Sequence, residues 1–200
     1  MSKLKVEVFT DFVCPWCFLN TARVERIQQN LDVDVQWLYF PLHPNTPANG
    51  LLLSDLFSGR AVDIEAVHAR LKRLMDAEGL PFNTARTHTY NSRLAQELAK
   101  AFDIVRDPLY RAYFKDVKNI GNIDVLLEIA QASGIPSDSA RQVLTERTFK
   151  NAVDADWKKA HEYGITGVPT FVADHRKLSG AQPYEILEGF LVECGADRKI

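Results

Sequence analysis

The chain has 200 residues, 46% of them hydrophobic and 25% charged, and a net charge of −2 at neutral pH. This composition suits one compact domain, or one domain carrying a large insertion, with enough apolar content for a core. There is no basic stripe interleaved with aromatic residues to indicate nucleic-acid binding, and no run of about 18 apolar residues to indicate a membrane span. The first residues lack the apolar core of a signal peptide, so we expect a cytoplasmic protein.

Near its beginning the chain carries two cysteines where a strand pattern changes into a helix pattern. Leu4, Val6 and Val8 alternate with charged residues, which predicts a strand with one buried face. The segment Cys14-Pro15-Trp16-Cys17 follows, and after it apolar residues recur at helical spacing as far as Ile27. Cys14 is therefore predicted to lie at the start of a helix.

A helix start is a chemically special place for a cysteine. The unpaired N–H groups of the first turn and the positive end of the helix dipole favour a thiolate at Cys14, and the thiolate is the nucleophilic form. Pro15 suits the first helical turn, where its missing N–H has no consequence. Cys17 lies one turn further on the same face, close enough for a disulfide to open and close with little backbone movement.

Two other interpretations of the cysteine pair compete with redox chemistry. A closed zinc site needs four ligands, and the remaining candidates are only Cys194 and five scattered histidines, so we predict no metal. Two inert, packed cysteines are the second alternative. In a reducing compartment a Cys-x-x-Cys pair is more often catalytic, and we predict a redox dithiol.

The region after the dithiol begins with a second strand and continues as a helical block. Alternation over residues 33–40 predicts a strand parallel to the first, which puts the Cys14 turn at the carboxyl edge of the sheet. Prolines then mark a loop over residues 41–50. Helices are predicted from about residue 64 to an ending at Gly79, from 91 or 92 to 102, from 107 to 118, from 124 to 133 and from 137 onward.

The last fifty residues return to a mixed pattern. We predict a helix over residues 151–163, a hairpin with strands at 170–173 and 177–178, and a final helix over 183–194. Cys194 lies on the apolar face of that final helix and is predicted to be a packing residue. The predicted organisation is one domain built from residues 1–50 and 151–200, with a helical domain inserted over residues 51–150.

This order of elements, together with three short segments, resembles the DsbA family of thiol–disulfide oxidoreductases. The segment 11–17 (Asp-Phe-Val-Cys-Pro-Trp-Cys) and the segment 178–183 (Leu-Ser-Gly-Ala-Gln-Pro) are typical of its cytoplasmic, FrnE-like branch. The segment 164–171 (Gly-Ile-Thr-Gly-Val-Pro-Thr-Phe) is similar to the family's cis-proline segment. The resemblance implies an α/β, thioredoxin-like fold with a large all-helical insertion.

The resemblance also assigns expected roles at the site. Cys14 is the attacking thiol, Cys17 is the resolving thiol, and the peptide bond before Pro169 is cis. Substrate contacts are expected from Phe12, Pro15, Trp16, Val168 and Thr170. The expected partners are protein or small-molecule thiols and disulfides, with glutathione as a redox partner rather than a bound cofactor.

The sequence departs from the periplasmic DsbA pattern at the dithiol. Trp16 stands where that pattern has a histidine, and Val8 stands where it has a buried glutamate. Glu7 has the opposite strand parity and is expected to face elsewhere. Asp11, if it lies near Cys14, opposes thiolate formation. We therefore predict an intermediate reduction potential.

Two other functions fit the same fold. Kappa-class glutathione transferases and 2-hydroxychromene-2-carboxylate isomerases bind glutathione and carry a serine in place of the nucleophilic cysteine. The two cysteines of this chain favour dithiol exchange over that glutathione-dependent alternative. A chaperone or binding protein is the third class, and its activity would not depend on Cys14.

Overall fold

The computed structural model describes residues 3–199, which form two compact units. One unit spans Met1–Leu42 and Asp156–Ile200, and the other spans His43–Ala155. In chain order the elements are β1 (Leu4–Thr10), α1 (Pro15–Asn30), β2 (Val33–Tyr39), β3 (Leu51–Leu52), α2 (Leu53–Leu56), α3 (Ile64–Ala77), β4 (His88–Thr89), α4 (Arg93–Ala101), a 3-10 turn (Asp103–Val105), α5 (Arg106–Phe114), α6 (Ile123–Ala132), α7 (Ser137–Glu146), α8 (Lys150–Glu162), β5 (Thr170–Ala173), β6 (Arg176–Ser179) and α9 (Tyr184–Glu193).

The first unit contains a four-stranded sheet in the order β2-β1-β5-β6. β1 and β2 run parallel, with Thr10 opposite Tyr39, so both strands end at the same edge. β5 pairs antiparallel with β1 and begins at that edge, because Thr170 lies opposite Phe9. The predicted parallel pair and hairpin are confirmed, and this is a thioredoxin-like α/β arrangement.

Strand β1 is covered on both faces, not on one face as its alternation predicted. Val6 and Val8 pack with residues of α1 and α9, including Ile27 and Leu187. On the other face Phe9 joins a second core cluster to which α8 contributes. Glu7 lies on this second face and is therefore buried. The pattern of β1 alone could not indicate this burial, because α8 lies more than a hundred residues later in the chain.

The second unit is mainly helical, and its longer helices agree with the predicted pattern except at α5. The short helix α2 and the short strands β3 and β4 were not predicted. Helix α5 ends at Phe114, four residues before the predicted end at 118. The backbone of Val117 has a positive φ of 56°, which a continuing helix does not allow. Side chains cap α3 and α6, where Asp63 and Asn122 accept hydrogen bonds from first-turn N–H groups. Within residues 3–199 no helix is long and apolar enough to cross a membrane.

The second unit is larger than the predicted insertion of residues 51–150. The proline-rich segment belongs to it because Asn91 Nδ2 donates to the carbonyl oxygens of Pro44 and Thr46, at 3.0 and 3.2 Å. Asn119 Nδ2 holds the carbonyl of Ala48 in the same way at 3.1 Å. These long-range hydrogen bonds are invisible in the local sequence pattern, which suggested only a loop.

Candidate active site

Helix α1 begins immediately after Cys14, as the sequence predicted. Cys14 is the N-cap residue with extended backbone angles, and Pro15 occupies the first helical position. The Cys14 carbonyl accepts hydrogen bonds from the N–H groups of Cys17 and Phe18, at 3.1 and 3.2 Å. The Cys14 sulfur thus lies at the positive end of a helix of 16 residues, where the dipole favours an anion.

A tight turn held by Asp11 connects β1 to this helix. The two carboxylate oxygens of Asp11 accept hydrogen bonds from the backbone N–H groups of Val13 and Leu42, each at 3.0 Å. The Asp11 carbonyl accepts from the Cys14 N–H at 3.1 Å. Asp11 has no exposed surface. The buried side chain of Asp11 therefore fixes the conformation of the backbone that carries Cys14.

Cys17 is the more protected of the two thiols, with only 1% of its surface exposed. Burial and the adjacent Cys14 sulfur raise the pKa of the Cys17 thiol well above its usual range. Hydrogen bonds from the Thr10 side chain and the Asp11 backbone act in the opposite direction and lower that pKa. Neither residue was predicted to touch Cys17. Both cysteines are free thiols in this structure.

The cis-proline segment touches the first thiol. The Val168–Pro169 peptide bond is cis, which confirms the expectation from the sequence. The Cys14 Sγ donates to the carbonyl oxygen of Val168 at 3.4 Å, within the longer range that sulfur hydrogen bonds span. Two segments separated by 154 positions therefore meet at the Cys14 sulfur.

A third segment, residues 180–182, fastens the cis-proline segment to α1. The Gly180 N–H donates to the Pro169 carbonyl at 2.8 Å. Arg23, buried in α1, donates to the carbonyl oxygens of Ala181 and Gln182 at 3.2 and 2.7 Å. Arg23 was not predicted as a site residue. Its spacing of four residues from Leu19 and from Ile27 places it on the buried face of the helix, and this was the available signal.

The residues expected to contact substrate fall into two groups. Pro15, Trp16 and Val168 are half-buried and form the accessible border of the dithiol. Phe12 and Thr170 do not meet the expectation. Phe12 has no exposed surface and packs against the tilted ring of Tyr39, with ring centroids 5.5 Å apart. Thr170 is 1% exposed, and its hydroxyl donates to the Gly167 carbonyl at 2.8 Å.

The comparisons with known proteins agree with this geometry. A family model described as the DSBA-like thioredoxin domain matches residues 5–192. The chain belongs to this family. It is 26% identical over 201 residues to the uncharacterized protein YwbO of Bacillus subtilis, covering 92% of this chain and 93% of that protein.

Solved structures of other DsbA-like proteins have the same fold. The probable DsbA oxidoreductase SCO1869 from Streptomyces coelicolor is 28% identical and superposes with a TM-score of 0.87, over 96% of this chain and 89% of that one. The cytosolic disulfide reductase DsbM from Pseudomonas aeruginosa is 18% identical with a TM-score of 0.66, over 95% of this chain and all of that one. At that lower identity the likeness concerns the fold.

In this DsbA-like chain Glu7 has the opposite strand parity to the valines of β1, as the sequence indicated, but its side chain is buried. Lys159 Nζ and Lys5 Nζ approach Glu7 Oε1 at 2.5 and 3.0 Å. Burial opposes ionisation of Glu7, yet the two ammonium groups outweigh it and lower the pKa of the carboxyl. The group borders a cavity of about 510 Å³ together with Lys177, Tyr163 and His175.

The third cysteine of the DsbA-like chain packs in the core, as predicted. Cys194 ends α9 within the cluster that contains Val6 and Val8, and its Sγ donates to the Ala173 carbonyl at 3.5 Å. Among residues 3–199, no group of three or more histidine, cysteine or acidic side chains is arranged to hold a metal ion.

Proposed function

We propose that this protein is a thiol–disulfide oxidoreductase that exchanges disulfides with protein or small-molecule thiols through Cys14 and Cys17. One observation carries the proposal. The Cys14 sulfur lies at the N-cap of α1, against the carbonyl before the cis proline, and Cys17 follows one helical turn later. This combines a sulfur at the positive end of a helix with a second sulfur one turn away, so the pair can pass between dithiol and disulfide.

In the oxidising direction a substrate thiolate attacks the Cys14 sulfur of the Cys14–Cys17 disulfide. The bond between the two protein sulfurs breaks, and Cys17 leaves with the electron pair as a thiolate. A second substrate thiolate then attacks the substrate sulfur of the mixed disulfide and releases Cys14. In the reducing direction Cys14 attacks a substrate disulfide, and Cys17 resolves the mixed disulfide.

Some of the surrounding residues contact the substrate, and others orient the dithiol. Pro15, Trp16 and Val168 border the dithiol and provide the surface that an incoming thiol or peptide meets. Pro169 holds the Val168 carbonyl toward Cys14, and Asp11 fixes the turn on the other side. The first turn of α1 stabilises the Cys14 thiolate in both directions of exchange.

We further propose glutathione as a redox partner, without a bound cofactor, and a cytoplasmic location in the FrnE-like branch. A structure of the cytosolic disulfide reductase DsbM with GSH has the same fold, with 18% identity and a TM-score of 0.61. That structure holds glutathione with DsbM, and it supports the choice of glutathione as the first partner to test.

The test is to equilibrate the purified protein in graded mixtures of reduced and oxidised glutathione, trap the free thiols and determine the Cys14–Cys17 state by mass. We expect a reversible two-electron transition with a midpoint between about −120 and −270 mV. The transition should disappear in Cys14→Ser and persist in Cys194→Ser, which removes the buried core thiol.

If no intramolecular disulfide forms at any glutathione ratio, the proposal is wrong. Glutathione-conjugating turnover that survives Cys17→Ser would favour the transferase or isomerase alternative instead. Protection of client proteins that is unchanged in Cys14→Ser would favour a chaperone.

A further inference from the structure

Helix α1 holds the region around the cis proline at two places, through the Cys14 sulfur at its N-cap and through Arg23 further along the helix. The Cys14 Sγ donates to the Val168 carbonyl at 3.4 Å. Arg23 Nη1 donates to the carbonyl oxygens of Ala181 and Gln182, at 3.2 and 2.7 Å. The helix that carries the dithiol therefore binds two backbone segments that are separate in sequence.

Gly180 joins these two segments, because its N–H donates to the Pro169 carbonyl at 2.8 Å. The turn around Gly180 also has hydrogen bonds of its own. The Gln182 N–H donates to the Gly180 carbonyl, and Gln182 Nε2 donates to the Ser179 carbonyl, each at 2.9 Å. Arg23 is only 7% exposed, so water competes little for its hydrogen bonds. By fixing residues 180–182 on α1, Arg23 therefore also fixes the backbone of Pro169.

The two contacts with α1 respond differently to the reaction. A thiol donates a hydrogen bond through its S–H proton, and Cys14 has no such proton as a thiolate or in a disulfide. The hydrogen bond from Cys14 to Val168 is therefore lost whenever Cys14 reacts. The guanidinium of Arg23 keeps all of its protons, and its charged hydrogen bonds are stronger than those of a thiol. Of these two contacts, only that of Arg23 is present throughout exchange.

We propose that Arg23 is a positioning residue, which keeps the cis-proline segment in place while Cys14 is bonded to a substrate sulfur. The proposal rests on the proposed function and deepens it. Val168 is half-buried at the border of the dithiol, where the backbone of a bound peptide meets it. A peptide disulfide needs this surface as well as the Cys14 sulfur, whereas a small disulfide needs only the sulfur. Arg23 should therefore favour peptide substrates over small ones.

The first test compares two disulfide substrates in a Cys194→Ala background. One consists of two short peptides joined by a disulfide, one carrying a fluorophore and the other a quencher. The other is uncharged dipyridyl disulfide, whose released thiol absorbs in the near ultraviolet. In Arg23→Met we expect the half-saturating peptide concentration to rise about threefold to tenfold. The rate with dipyridyl disulfide should stay within about twofold of the parent.

The second test measures hydrogen exchange of the Gly180 amide in the reduced and the disulfide forms. In the parent we expect similar protection in both forms, because Arg23 holds residues 180–182 in each. In Arg23→Met the Gly180 amide should exchange about threefold to tenfold faster in the disulfide form than in the reduced form, which keeps the sulfur contact. A loss of global stability would speed exchange in both forms alike.

Three variants serve as controls. Arg23→Lys keeps the positive charge and ammonium donors and should recover part of the affinity for the peptide. Arg23→Gln repeats both tests if the methionine variant misfolds. Arg26→Met is the matched control and should change neither substrate, because Arg26 is exposed on the same helix and lies over the Tyr184 ring, 3.9 Å from its centroid.

An unchanged half-saturating peptide concentration in folded Arg23→Met and Arg23→Gln would overturn the role of Arg23 and leave the proposed function intact. Equal slowing with both substrates, or an equal effect in Arg26→Met, would overturn it as well. The same holds if Gly180 exchanges equally fast in both forms of the variants. If the parent reduces neither substrate, the proposed function itself fails.

Discussion

Two fully buried carboxylates, one in each unit, are stabilised in different ways. Asp11 in the first unit accepts its hydrogen bonds from two backbone N–H groups. Glu97 in the second unit accepts from two arginine side chains, Arg93 Nε at 2.6 Å and Arg147 Nε and Nη2 at 2.7 Å. Neither carboxylate has exposed surface.

The different hydrogen-bond donors give the two carboxylates different roles: Asp11 shapes the site, and Glu97 stabilises its unit. Backbone donors come from the turn itself, so Asp11 fixes the path of the chain beside the dithiol. Arginine donors come from side chains on α4 and at the end of α7, so Glu97 joins two helices. We therefore expect Glu97 to determine stability and Asp11 to determine both stability and the rate of exchange.

The largest expected effect comes from removing the charge of Glu97. Glu97→Gln removes the buried carboxylate that Arg93 and Arg147 share, while Arg93 keeps its ion pair with Asp154 at 2.7 Å. We expect the free energy of unfolding in urea to fall by about 3 kcal/mol. Exchange by the folded protein should be unchanged. Glu128→Gln is the control, because its partner Lys118 at 3.0 Å is a surface pair worth less than about 1 kcal/mol.

The pH dependence of stability should follow the same residue. Burial opposes the charge of Glu97, but Arg147 and Arg93 outweigh burial and lower the pKa of the carboxyl. A group whose pKa is lowered by folding stabilises the protein above its unfolded pKa of about 4.3, and the contribution is lost as the pH falls below that value. Equal acid slopes in the native protein and Glu97→Gln would contradict this assignment.

For Asp11→Asn we expect a smaller loss of stability together with slower disulfide exchange. In Asp11→Asn the amide offers one oxygen to two buried N–H groups, and one unpaired donor costs about 2 kcal/mol. Because this turn positions Cys14 at the start of α1, exchange should also slow several-fold. Urea unfolding and the rate of reaction with a disulfide measure the two effects. Asp34→Asn, an exposed substitution on β2, should change neither.

The sequence was sufficient where local pattern and chemistry coincide. Alternation predicted β1 and β2, and helical spacing predicted α1 with Cys14 at its start. The strands and the helix start depend on a few consecutive residues, whose backbone preferences are readable without knowing what packs against them. The cis bond before Pro169 was implied by the resemblance to the DsbA family, and the structure has it.

The sequence was insufficient where the direction or burial of a side chain depends on residues far away in the chain. Phe12 and Thr170 stand beside the site in sequence but point into the core, and residue type does not distinguish these directions. The burial of Glu7 depends on Lys159, which arrives 152 positions later.

The most direct test of dithiol exchange is to trap its mixed disulfide. Cys17→Ser is incubated with oxidised glutathione, digested and analysed by mass, with Cys14→Ser treated in parallel. We predict a stable glutathione adduct on Cys14 in Cys17→Ser and an intramolecular disulfide without adduct in the native protein. An adduct confined to Cys194, or none on Cys14 in Cys17→Ser, would contradict the assignment of Cys14 as the attacking thiol.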